Sequence, residues 1–143
     1  MEKNNYMISI LGEQTLDGET DRVEVITEGN FMKKKDRFFI GYKEYDDQDP
    51  NEHFDNLIKV EPHMVTIIRR GPMGSRLMLE KGRRHQCLYQ TAMGDLMIGV
   101  SAAEIKNNLH EKGGKLHVSY SLDFNNELVS NNEFFIDIEE KGR

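Results

Sequence analysis

Four side chains in this 143-residue chain stand out by the company they keep. Tyr42 and Glu44 alternate with Phe38 and Ile40, Arg69 alternates with Val65 and Ile67, and Tyr120 alternates with Leu116, Val118 and Leu122. In an extended strand, residues two apart share a face, so each of these polar groups falls on a face that is otherwise apolar. A charge on such a face is expensive unless it is paired or hydrogen-bonded. The pattern predicts that Glu44 and Arg69 line a cavity and orient a small polar or anionic ligand, with Tyr42 and Tyr120 supplying hydroxyls. The competing reading is a salt bridge at one end of a barrel, or strand-end residues that reach water. A phase error of one residue would reverse every one of these faces.

Other groupings promise less. The basic side chains Lys33, Lys34, Lys35 and Arg37, then Arg69, Arg70 and Arg76, then Lys81, Arg83 and Arg84, would attract phosphates. They are spread along strands, however, and only Phe38 and Phe39 offer stacking platforms beside them, so nucleic acid is not the expected partner. His85-x-Cys87 presents two metal-ligand types on one strand face, but a site needs three or four ligands. Cys87 is read instead as a small buried apolar residue and no metal is expected. The chain contains no Gly-x-Ser-x-Gly, no phosphate-cradling glycine loop before a helix and no His-Glu-x-x-His. Neither a catalytic residue nor a cofactor is assigned, and a non-enzymatic role is expected.

The elements that must position these residues are strands. Period-two alternation runs through 6–11, 23–31, 37–45, 64–70, 76–80, 85–91, 95–101, 116–122 and 128–138, punctuated by Asp17-Gly18, Gly71-Pro72-Met73-Gly74, Lys81-Gly82, Met93-Gly94 and Asn125-Asn126. A short strand is expected from Leu57 to Glu61, after a polar loop running from Asp46 to Asp55. The segment 102–112 reads either as a short helix, with Ile105 and Leu109 one turn apart, or as a bulged strand. In the strand reading, which is preferred, Ala103, Ile105, Asn107 and Leu109 continue the inward face. Nothing resembles a βαβ unit. The fold expected is all-β: a single antiparallel meander barrel of eight to ten strands spanning residues 1–143.

Composition agrees with one self-sufficient domain, since a chain of this length buries enough surface to need no staples. Cys87 is the one cysteine, so no intrachain disulfide is available, which suits a reducing compartment. The sequence MEKNNYMISIL lacks a secretory pattern, and no apolar run approaches a membrane span, so a cytoplasmic protein away from membranes is expected. The net charge of −6 is uneven: the balance is −5 over residues 1–30, +3 over 31–84 and −4 over 85–143. The basic middle and the acidic ends could make a complementary surface for a protein partner or a homodimer.

Several spaced motifs carry a resemblance. Thr27-x-Gly29-x-Phe31, Ile40-x-Tyr42-x-Glu44, Ile67-x-Arg69-x-Gly71, Tyr89-x-Thr91-x-x-Gly94-x-Leu96 and Leu116-x-x-x-Tyr120-x-Leu122 follow one another through nearly the whole chain. In these the chain resembles the YwiB-like family of small bacterial proteins, assigned to the calycin-like (lipocalin-like) β-barrels. The resemblance implies an antiparallel barrel from a cytoplasmic protein of Gram-positive-type bacteria, and it brings no catalytic residues to transfer. The chain departs from true lipocalins in lacking a Gly-x-Trp near its start and in having no tryptophan. Residues and resemblance together lead to an expected small cytoplasmic binding protein that uses its barrel interior or mouth.

Overall fold

Alternation becomes ladder along almost its whole length. The structure, a computed structural model, describes residues 5–45, 53–71 and 74–142. Its ten strands are β1 (Tyr6–Leu16), β2 (Glu19–Lys34), β3 (Arg37–Tyr45), β4 (His53–Val60), β5 (Met64–Arg70), β6 (Ser75–Glu80), β7 (Arg84–Thr91), β8 (Gly94–His110), β9 (Gly113–Phe124) and β10 (Glu127–Glu140). Each pairs antiparallel with the next, and β1 pairs with β10, closing a ten-stranded meander barrel. Two-residue turns at Asp17-Gly18 and Asn125-Asn126 take positive φ at both positions, the geometry whose twist matches the strands of a hairpin.

Cross-strand pairing stacks the inward residues in layers. Phe31, Ile40, Ile58, Ile67 and Leu77 form one layer across β2 to β6. Phe38, Val60, Val65 and Leu79 form the next, away from the turn between β5 and β6. With Ile8, Val100, Leu116, Val118, Phe134, Ile136 and Ile138 they make the core, most of it fully shielded from water. Gly29 pairs with Tyr42, one step beyond the Phe31–Ile40 layer, and must be glycine: a Cβ there would lie 2.5 Å from the Gly41 carbonyl oxygen and 2.5 Å from the Ile8 side chain.

The walls differ in height. β5 and β6 have 7 and 6 residues, whereas β2 and β8 have 16 and 17. The long strands curl through bulges, at 102–104 in β8 and 128–130 in β10. Segment 102–112 is therefore strand as far as His110, with Ala103 as the extra residue. Ile105 and Leu109 pack on the core as expected, but Ala103 and Asn107 are exposed, one in the bulge and the other toward the strand's end.

The expected polar loop is shorter than read. His53, Phe54 and Asp55 belong to β4, where they pair with Tyr45, Glu44 and Lys43. The alternation of Phe54 and Asn56 with Ile58 and Val60 carries the strand back that far. The remainder of that loop, 46–52, and the two central residues of the turn at 71–74 lie outside the described residues.

Candidate functional site

The site begins with one register row. Tyr42 on β3 pairs with Asn56 on β4, Asn56 with Arg69 on β5, Arg69 with Ser75 on β6, and Ser75 with Tyr89 on β7. This row lies one layer beyond Ile40, Ile58, Ile67 and Leu77. The inward face thus changes from aliphatic to polar in a single step of two residues along each strand.

Glu44 and Arg69 meet over this row. The Arg69 Nη2 lies 3.6 Å from the Glu44 Oε1, with both side chains more than a third exposed. Asn56, itself buried, donates through Nδ2 to the same carboxylate oxygen at 3.2 Å. The Arg69 guanidinium lies over the Phe54 ring, 3.8 Å from its centroid, a cation–π arrangement that holds it flat. Its Nε is shielded from solvent yet has no hydrogen-bond partner among the described residues. An ion pair this loose and this exposed leaves capacity for another acceptor at the guanidinium edge.

Tyr42 is part of the same group. Burial pushes its phenol up to about 12, the Glu44 carboxylate adds to the rise, and Arg69 opposes it. The hydroxyl therefore keeps its proton and can donate. Tyr120 is placed differently. It stands on β9 between Ala102 of β8 and Asn132 of β10, edge-on to Phe134 at 6.2 Å. Burial pushes its phenol up to about 12 as well, and its electrostatic neighbour is Tyr89. The four expected residues thus form a trio of Tyr42, Glu44 and Arg69 on one wall, with Tyr120 on another and Tyr89 next to it.

The surface there is divided. A depression of about 550 Å³ includes Tyr42 and Asn56, one of about 500 Å³ includes Arg69 and Ser75, and one of about 350 Å³ includes Tyr120 and Asn132. These depressions are lined mostly by outward-facing residues, such as Asn30, Lys43 and Asp55 in the first and Arg76, Met78 and Gln86 in the second, so they lie on the outer wall beside the polar row, while the barrel interior is filled by aliphatic side chains.

Several members of this end escaped sequence reasoning. Asn56 lies just before the strand expected to start at Leu57, although its alternation with Ile58 and Val60 was a usable signal. Asn132 donates to Ser130 Oγ at 2.9 Å and accepts from Gln14 Nε2 at 3.2 Å, forming a polar chain on the wall beside Tyr120. Ser130 is almost fully buried, but the bulge before it hides its facing in the sequence.

Some members of the remaining groupings have structural partners. Arg37 faces Glu61 at 3.5 Å, Lys81 faces Glu104 at 3.8 Å, and Arg84 holds Asp123 through two hydrogen bonds of 2.7 and 2.9 Å. His85 bonds Glu80 at 2.8 Å. Cys87 is buried and accepts the Met78 N–H at 3.4 Å, and burial raises its thiol pKa. That sulfur sits where the ladder thins, for Ser75–Tyr89 is the pair that joins β6 to β7. Among the described residues no helix is long and apolar enough to cross a membrane.

Comparison with known proteins follows the same outline. Residues 8–136 match the family model described as Domain of unknown function (DUF1934). The chain is 22% identical over 111 residues to "Uncharacterized beta-barrel protein YwiB" of Bacillus subtilis (strain 168), covering 78% of this chain and 76% of that protein. The crystal structure of the ywiB protein from Bacillus subtilis superposes with a TM-score of 0.82 at 19% identity, over 98% of this chain and 95% of that one. At that identity the superposition speaks for the fold alone, that of a β-barrel.

Proposed function

The chain belongs to the DUF1934 family, which brings no assigned activity with it, and we propose from its own residues that it is a binding protein for a small polar or anionic ligand. The ligand sits at the barrel mouth on Tyr42, Glu44 and Arg69, with Tyr120 contributing from the other wall. The observation that supports this most is the loose 3.6 Å ion pair of Arg69 and Glu44, whose side chains both stay more than a third exposed. A charged pair serving only stability would gain from closer contact, and an aliphatic pair would serve as well. Arg69 supplies planar donors to a carboxylate, phosphate or amide oxygen, Tyr42 a protonated hydroxyl, and Glu44 an acceptor for a donor on the same ligand.

A closed meander of this kind is the form of a calycin-like barrel, in which polar groups at an apolar mouth hold one small molecule. A single free cysteine, buried and without a disulfide partner, suits a cytoplasmic setting. Thermal-shift screening of carboxylates, phosphates and amides against the full chain tests the proposal. A stabilising ligand that loses its effect in Arg69→Ala, and is weakened in Glu44→Gln, supports it. Ligands that stabilise wild type and both variants equally would place binding elsewhere.

A further inference from the structure

The tall wall carries a second pattern, on its outer face and independent of the mouth. One register row crosses five strands there: Glu24 on β2, Leu11 on β1, Phe135 on β10, His117 on β9 and Lys106 on β8. The row has a carboxylate at one end, an ammonium at the other and an apolar and aromatic centre. His117 stacks on Phe135 with ring centroids 4.3 Å apart and planes within 5°, and bonds Glu133 at 2.6 Å. A depression of about 420 Å³ opens over this centre. Phe135 remains 38% exposed, and Ile26, in the next row on β2, 66%. Both terminal charges are exposed, and neither Glu24 nor Lys106 has an ion-pair partner among the described residues.

We infer that this face is the contact surface for a second copy of the same chain, related by a two-fold axis lying along β10. Such an axis keeps each row in place and exchanges β2 with β8. Glu24 then faces Lys106 of the second copy, Leu11 faces the stacked His117, and Phe135 meets its own equivalent. In the adjacent row Arg22 comes to face Glu104, each of which also has a partner within its own chain, Glu13 at 2.6 Å and Lys81 at 3.8 Å. Glu133 and Asp137 lie on β10 itself, and each is held within its own chain, Glu133 by a hydrogen bond with His117 at 2.6 Å and Asp137 by Lys115 at 3.7 Å. A patch with a matching apolar centre and opposite charges at equal distances from one line is self-complementary, as a two-fold interface requires. Five strands at about 4.8 Å spacing give a patch at the lower end of specific interfaces, so the dimer dissociates on dilution.

Sedimentation velocity on the full chain, over a concentration series at low salt, provides the test. Wild type is expected to pass from monomer to dimer with rising concentration and to stop at two copies. Glu24→Lys and Lys106→Glu should each weaken the dimer at least ~10-fold, because every dimer then holds two like-charge contacts. An equimolar mixture of the two variants should restore it as a heterodimer, since each variant carries the charge the other lacks. Both sites are exposed, and circular dichroism checks that the barrel is intact. Phe135→Lys should abolish the dimer with no rescue by mixing. A chain that stays monomeric throughout, an assembly that grows past two, or a dimer indifferent to these three substitutions would overturn the inference.

Discussion

The floor and the mouth of this barrel are built from the same strands and differ by one step along each. At the floor, Ile40, Ile58, Val60, Val65 and Leu79 fill the interior with aliphatic volume that is almost wholly shielded. At the mouth, the next inward positions hold Tyr42, Asn56, Arg69 and Ser75. Water removed from the floor stabilises the fold in proportion to buried area. The mouth has to offset the desolvation of a guanidinium, a carboxylate and two phenols, and among the described residues one donor of Arg69 is left over. The contrast separates what the chain needs to fold from what folding does not explain.

Substitutions that exchange the two characters sharpen it. The largest effect belongs to the floor: Ile136→Ala, at a residue 2% exposed, should cost about 2–5 kcal/mol in urea denaturation. An unchanged midpoint would mean that the floor is not the core.

The two perturbed tyrosines come next, and their sign follows from the direction of the shifts. Folding raises Tyr42 and Tyr120 from 10.0 to about 12, so the folded state holds these protons more tightly than the unfolded state. Their contribution is complete below pH about 10 and is lost as pH climbs from there toward 12. It amounts to roughly 2–3 kcal/mol for each phenol. Phenolate absorbance should show two of the five tyrosines titrating late, and Tyr42→Phe and Tyr120→Phe should each remove one of them. Titration of all five together near pH ~10 would contradict the burial described for the mouth.

Smallest of all should be the ion pair. Arg69→Met and Glu44→Gln should each change stability by less than about 1 kcal/mol, because both side chains are more than a third exposed and water screens the pair. A loss as large as that at Ile136 would make Arg69 and Glu44 structural and remove the reason for assigning them to a ligand.

Much of this contrast is legible in the amino-acid sequence. The regular strands around Tyr42 and Arg69 keep strict period two, so their inward facing follows directly from the alternation. Their proximity follows less directly, because a meander places β3 and β5 two strands apart but leaves their relative register open. Asn56 completes that link, and it was obscured by the polar residues leading into β4. Tyr120 shows the limit most clearly. Its facing is plain from Leu116, Val118 and Leu122, yet its separation from the trio depends on how the barrel closes and how far its strands are staggered. Ser130 and Asn132 lie just past a bulge, where the count of two fails.

The outer face of the tall wall was invisible for a similar reason. Glu24, Leu11, Phe135, His117 and Lys106 belong to five strands and become a row only through four registers at once. Charge balance along the chain hinted that opposite surfaces exist but placed them by sequence segment, whereas the row joins residues from both acidic ends of the chain.

Native mass spectrometry on protein freshly purified from its host, with the denatured mass as reference, tests the reading of the mouth most directly. A ligand held at the mouth predicts a discrete added mass on each folded chain that vanishes on denaturation, persists in Phe135→Lys, and is lost in Arg69→Ala. A bare folded mass, identical in behaviour for wild type and Arg69→Ala across gentle desolvation conditions, would contradict it.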